Sequence, residues 1–341
     1  MKTDLIYGVE DRPPFKDALF AALQHLLAIF VAIITPPLII ASALKLDVEK
    51  TSFLVSMSLF ASGVSTFIQC RRFGTIGAGL LCIQGTSFSF IGPIIATGLV
   101  GGLPLIFGSC MAAAPIEMIV SRTFKYLRNI ITPLVSGIVV LLIGLSLIKV
   151  GIVSCGGGYS AMDNGTFATW ENLSIAALVL LSVLFFNRCG NKYLRMSPIV
   201  LGLCLGYGLA FVLGKVDMSS LNVAMLLSFN IPQPFKYGID FNVSSFIAIG
   251  LVYLITAIEA TGDVTANSMI SGLPIEGDSY LKRASGGVMA DGFNSFLAGV
   301  FNSFPNSIFA QNNGIIQLTG VASRYVGYYI AAMLVLLGLF P

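Results

Sequence analysis

The sequence predicts an all-α polytopic membrane protein in which two of the spans are interrupted, and three observations carry that reading. Of 341 residues, 56% are hydrophobic and only 10% charged, with a mean hydropathy of +0.89, whereas soluble domains carry about 25% charged residues. Apolar runs long enough to cross a bilayer recur from one end of the chain to the other. Within two of those runs lie glycine, proline and amide residues that a lipid-facing helix has no reason to hold. The net charge of +3 is small and says nothing about nucleic acid.

A spanning helix needs about 20 apolar residues. On that ruler the spans fall near 17–44, 52–69, 74–99, 101–121, 131–149, 173–187, 197–214, 243–262, 286–302, 305–321 and 325–341. Pro36 and Pro37 are expected to bend or end the first. Residues 1–16 are polar, mixed in charge and unlike a signal peptide. The six cysteines (Cys70, Cys82, Cys110, Cys155, Cys189 and Cys204) show no metal-type spacing and read as small apolar residues in helices.

Lysine and arginine divide sharply between alternate loops. One set holds Lys2, Arg12, Lys16, Arg71, Arg72, Arg122, Lys125, Arg128, Arg188, Lys192, Arg195, Lys282, Arg283 and Arg324; the other holds only Lys45, Lys50, Lys149, Lys215 and Lys236. The positive-inside rule then puts the N-terminus in the cytoplasm and Pro341 outside. The long outer loops, 156–172 and 215–242, are rich in Gly, Asn and Ser; their Asn-x-Ser/Thr triplets read as chance.

Ionisable groups inside spans cost about 2.5–3.5 kcal/mol each and are functional candidates by default. Here they are His25, Glu117, Glu259, Asp263 and Asp291. Glu259 and Asp263 are four residues apart and share a helix face. Two charged carboxylates so placed repel, and taking up a proton relieves the repulsion; the alternative, a helix end reaching water, fits Asp263 better than Glu259. Asp291 lies among small residues (GGVMADGFNS) that favour close packing, so a structural hydrogen bond competes with a coupling role. Glu117, five residues before Arg122, reads first as an ion-pair or interface residue. His25 is either a packing element or a residue tuning a site through hydrogen bonds.

The interrupted stretches complete the constellation. Residues 304–320 read FPNSIFAQNNGIIQLTG, with one proline, three asparagines and two glutamines between apolar runs. Either this is a broken helix presenting Gln311 and Asn312 at a binding site, or it is an extramembrane hairpin. The third span contains a second such stretch, Gln84 to Phe90 followed by Gly92 and Pro93. Paired broken segments at corresponding positions of two halves point to a transporter site, and a separation of seven spans inverts the second half. The two half-helix N-termini would then face each other with free N–H groups.

The run Gln311 to Gly320 (QNNGIIQLTG) resembles the signature of the nucleobase–ascorbate transporter family. QHLLAIF around His25, ITPLVSGIVVLLIGLSLIKVG at 131–151 and AIEATGDVTA at 257–266 are similar to its bacterial xanthine-permease branch. The resemblance covers essentially the whole chain. It implies fourteen helices in two inverted repeats of seven, about eleven of them present here. The core domain would be 17–121 (helices 1–4) and 243–341 (helices 8–11), and the gate 131–214 (helices 5–7). Gate helices 12–14 are absent, so the chain reads as truncated, preceded by a cytoplasmic segment at 1–16. The resemblance further implies proton symport of a purine base, xanthine first, across the bacterial cytoplasmic (inner) membrane. The proton is the coupling ion, no cofactor is needed, and a homodimer is frequent. By matching motif, Glu259 and Gln311 would grip the base; Asn312, Asp263, Asp291 and His25 would support it or couple protons; Ser87 and Phe88 fall at the broken position of span three.

That assignment is chemically coherent. A xanthine edge alternates N–H donors and C=O acceptors, which a carboxylate and a side-chain amide can meet, and Phe88 can stack on the ring. Within the family, uric acid and uracil are the alternatives; uracil permeases carry a carboxylate where this chain has Gln311. A core that binds the base without transporting it is a further alternative. No nucleophile–base pair, metal-ligand cluster or phosphate loop suggests an enzyme, and no ring of like charges suggests a channel.

Overall fold

A computed structural model describes residues 5–123, 151–189, 198–216 and 229–340, with the isolated positions 138, 145, 148 and 194. Helix α1 (Phe15–Ala43) leads into α2 (Val48–Arg71), whose Asp47 cap accepts the Lys50 N–H at 2.7 Å. An irregular stretch then reaches β1 (Gln84–Thr86), a 3-10 turn (Phe88–Phe90) and α3 (Ile91–Arg122). After the short α4 (Gly158–Asp163) come α5 (Trp170–Arg188) and α6 (Pro198–Val212), which pack against each other. The chain continues through α7 (Val243–Ile270), α8 (Gly277–Val300), β2 (Asn306–Ile308), α9 (Gln311–Thr319) and α10 (Arg324–Leu339).

Among the described residues, five helices are long and apolar enough to cross a membrane: α1, α2, α3 with its preceding turn, α5 and α7. This is a multi-pass membrane protein. The expected spans at 74–99 and 101–121 meet at a kink, where Gly101 and Gly102 leave helical geometry and Gly102 takes φ +65°. The expected span at 131–149 lies outside the described residues apart from Ile138, Leu145 and Ile148. Pro36 and Pro37 do not end α1, which runs through both to Ala43. Prolines are tolerated in spanning helices where protein surrounds them, and both of these are buried; beside them, Thr35 Oγ1 donates to the Val31 carbonyl at 2.6 Å. Cys82 is buried in the extended run before β1 rather than in a helix.

The body is assembled by close helix contacts around α8. That helix is the least apolar of the long ones because protein, not lipid, surrounds it: Gly286, Gly287, Ala290, Asp291, Asn294 and Ser295 are all buried. Small side chains let backbones approach; a Cβ on Gly286 would lie 2.5 Å from the Gly77 carbonyl. The α2–α10 contact is equally tight, a Cβ on Gly338 falling 2.5 Å from the Phe60 nitrogen.

Strands β1 and β2 cross antiparallel in the interior, Gln84 opposite Ile308, Gly85 opposite Ser307 and Thr86 opposite Asn306, with all six residues buried. The pairing is extended by Ser87 N–H to Pro305 O and Phe309 N–H to Ile83 O, both 2.9 Å. Backbone polar groups at membrane depth must be satisfied within the protein, and two extended tripeptides do this for each other. Residues 304–309 are therefore buried inside the protein and are not an exposed surface hairpin. The N-terminal segment also belongs to the folded body: Ile6 donates to Gly320 O at 2.8 Å, Ala322 to Tyr7 O at 2.9 Å and Arg324 to Val9 O at 3.1 Å.

Candidate functional site

The crossing strands bring three groups of polar residues to one place. The first lies just past β1. Ser87 is buried and held by its backbone, while Phe88 and Ser89 are only partly covered. Ser89 Oγ donates to Glu259 Oε2 at 3.2 Å. The sequence reading had no part for Ser89, although it stands in the same polar run as Ser87. Phe90 turns inward onto Tyr253, ring centroids 4.7 Å apart.

The second group is a face of α7. Glu259, Asp263 and Asn267 follow at intervals of four and so lie in one row. Asn267 Nδ2 donates to Leu81 O at 2.8 Å and Asn313 Oδ1 at 3.0 Å, and Asn313 Nδ2 reaches Asp263 O at 3.4 Å. The row thus touches both crossover segments: Glu259 by way of Ser89, Asp263 and Asn267 by way of Asn313. Asp263 is partly covered, with Oδ2 buried and without a hydrogen-bond partner. Asn267 had no part in the sequence analysis, although it continues the four-residue spacing of Glu259 and Asp263; its partners are 46 and 186 residues away.

The third group heads α9. Gln311 is its first residue and is exposed; Asn312 beside it is fully buried, donating through Nδ2 to Leu81 O while Oδ1 remains unpartnered. His25 of α1 is buried next to Asn312, and neither imidazole nitrogen makes a hydrogen bond of normal geometry. His25 and Asn312 are thus neighbours, a relation invisible across the 287 positions that separate them.

Asp291 differs from the α7 acids. It is completely buried, and Oδ1 accepts a short hydrogen bond from Gln84 Nε2, whose Oε1 in turn accepts from Asn294 Nδ2. Asn294 also donates to Ser65 O at 3.2 Å, and Asn306 Nδ2 to Ser65 Oγ at 2.8 Å. One amide network therefore fastens β1, β2, α2 and α8 together, and Asp291 is one of its anchors. Glu117 is also completely buried, on the stretch of α3 that Gly292 touches, and it faces Asp291. The expectation of a pairing with Arg122 does not hold: Arg122 Nη2 lies instead 3.4 Å from Thr75 Oγ1. Five residues along a helix place two side chains on different sides of it, and here the carboxyl points into the protein.

Comparison with known proteins identifies the lineage. A model described as a permease family matches residues 16–341. The xanthine permeases XanP and XanQ of Escherichia coli strain K12 are each 50% identical to this chain over 99% of it, which corresponds to 75% and 74% of their own lengths. The transmembrane domain of the cyanobacterial bicarbonate transporter BicA shares the fold, with a TM-score of 0.63 at 15% identity, over 98% of this chain and 84% of that one. With a family match over nearly its whole length and relatives at half identity, the chain belongs to the nucleobase–ascorbate transporter family of permeases.

Proposed function

We propose that this permease imports a purine nucleobase, xanthine first, across the bacterial cytoplasmic membrane together with protons. The observation that carries the reading is the position of Glu259: a partly covered carboxylate beside the crossing strands, with only the Ser89 hydroxyl as a side-chain hydrogen-bond partner among the described residues. A carboxylate with acceptor capacity left can take N–H donors from a base edge. Gln311, exposed at the head of α9, brings both a donor and an acceptor to a neighbouring ring position. Phe88, partly covered ahead of α3, offers an apolar face for the flat ring. The names of the half-identical relatives support xanthine as the base.

In this reading Asp263, with an unpartnered buried oxygen, sits one turn from Glu259 and shares its proton traffic. Asp291 and the His25–Asn312 pair hold the site's shape. Each positive charge moved inward gains about 2.3 kcal/mol per 100 mV of membrane potential, enough to drive accumulation of a neutral base. The arrangement would be two inverted repeats of seven spans, with a core of 17–121 and 243–341 rocking against a gate that includes 131–214, the N-terminus cytoplasmic and the unit a homodimer.

The test is uptake of radiolabelled xanthine into proteoliposomes carrying an imposed inward proton gradient. Accumulation that collapses on adding a protonophore is expected. Binding without accumulation would reassign the chain as a base-binding core, and a preference for uric acid or uracil over xanthine would overturn the substrate.

A further inference from the structure

Away from the crossing strands, at the end of the molecule where α2 finishes and α10 begins, four arginines converge. Arg12 of the N-terminal segment, Arg71 and Arg72 at the end of α2, and Arg324 at the start of α10 line one cavity of about 430 Å³ with Tyr325 and Tyr328. Two of them are placed by the local sequence, since cations favour the negative end of a helix dipole. Arg324 is placed by pairing: its guanidinium takes Glu10 Oε2 at 2.7 and 3.1 Å and reaches the Arg71 carbonyl at 3.4 Å. Among the described residues no salt bridge joins Arg12, Arg71 or Arg72 to an acid. The cavity therefore holds three more positive charges than negative ones, and a guanidinium cluster is the side-chain arrangement best suited to a phosphate group.

The arginine cavity adjoins a second feature. A groove of about 540 Å³ shares Arg12, Tyr325 and Tyr328 with it and runs on past Tyr329 and Ala332. Residues 325, 328, 329 and 332 fall on one face of α10 and span about 10 Å along its axis at 1.5 Å per residue. Around this stripe stand exposed aromatic rings: Phe15 packs edge-on to Tyr329 at 5.9 Å, and Phe67 packs on Tyr328 at 5.3 Å and on Phe73 at 6.0 Å. Aromatic residues ringing a helix end, one side apolar and one side wet, mark the headgroup level of a bilayer. A free phosphate would use the arginines and leave the groove without a role. An amphiphile uses both.

We propose that this surface binds an anionic glycerophospholipid, its phosphate among Arg12, Arg71, Arg72 and Arg324 and one acyl chain along the tyrosine stripe of α10. Basic pockets between spanning helices on the cytoplasmic side are the sites anionic headgroups take. Bound there, the lipid ties the N-terminal segment to α2 and α10 and neutralises charges that otherwise repel.

The experiment uses the full chain, purified and delipidated in detergent, titrated with phosphatidylglycerol. Retained lipid is counted by native mass spectrometry and the unfolding midpoint is followed in parallel. Phosphatidylcholine with the same acyl chains and inorganic phosphate serve as the comparison arms. Phosphatidylglycerol should be retained and should raise the midpoint, with neither comparison arm doing so. The double variant Arg12→Gln/Arg71→Gln should hold it roughly thirtyfold more weakly, at about 1 kcal/mol per basic residue, while xanthine binding is unchanged. Should the double variant fold poorly, Arg71→Gln alone, an exposed side chain, should weaken retention about fivefold. Equal retention of phosphatidylcholine, a matching shift from inorganic phosphate, or full retention by the variants would each overturn the lipid site.

Discussion

The two crossover segments, 84–90 and 306–313, make the same manoeuvre and dispose of their polar side chains differently. In both, the amide on the strand is a fastener. Gln84 bonds Asp291 and Asn294, and Asn306 bonds Ser65 while its backbone exchanges hydrogen bonds with Ser295 at 3.0 and 3.1 Å. The segments part where their helices begin. The first presents an aromatic ring and a hydroxyl, Phe88 and Ser89, and lends the hydroxyl to Glu259. The second presents the exposed amide of Gln311 beside the buried Asn312. Depth separates the two kinds: an amide buried at a strand crossing must be satisfied by protein and so becomes structure, whereas Gln311 is exposed and is the amide we propose meets the base.

That contrast can be broken by four substitutions. The largest effect is expected at the acid the first segment touches. Glu259→Gln removes the charged acceptor, and since a hydrogen bond to a charged group contributes about 1.5–3 kcal/mol, xanthine affinity should fall on the order of a hundredfold with membrane insertion intact. A radioligand titration showing unchanged affinity would take Glu259 out of the site. Next is Gln84→Leu, which strips partners from buried Asp291 and Asn294. An unfolding midpoint lowered by the equivalent of about 1–3 kcal/mol is expected; an unshifted midpoint would show that Gln84 is no fastener and that the two kinds of amide are not distinct.

Smaller effects sharpen the ligand side. Gln311→Glu should weaken purines about tenfold relative to uracil, because it replaces a donor–acceptor pair by an acceptor-only group; competition of both bases against labelled xanthine reads this directly, and an unchanged order refutes the role of Gln311. Ser89→Ala should lower affinity about fivefold, by loss of a single hydrogen bond of about 1 kcal/mol. A loss as large as that of Glu259→Gln would mean that Ser89 meets the base itself.

Much of this architecture was legible in the amino-acid order. The span at 243–262 became α7 and 173–187 became α5, while β1 and β2 lie within the two polar stretches 84–90 and 304–320. The glycine, proline and amide content of 304–320 was enough to show that these residues could not form a lipid-facing helix. Glu259 and Asp263 stood out because ionisable groups are rare in spans. The exceptions are instructive. Pro36 and Pro37 argued for a bend or an end, and the helix does not end there but runs on to Ala43. Glu117 was read against Arg122, its neighbour in the chain, when its true neighbour is Asp291 on α8.

Hydropathy and breaker residues are properties of local runs, so the chain alone determined that it is a helical, multi-pass membrane protein and which few side chains are costly to immerse. The side-chain partnerships belong to the tertiary structure. Gln84 finds Asp291 across 207 positions, Ser89 finds Glu259 across 170, and Arg324 finds Glu10 across 314. Those meetings depend on how closely α2, α3, α7, α8 and α10 can pack and on the antiparallel register of two three-residue strands, and neither quantity is written in any one stretch of the sequence.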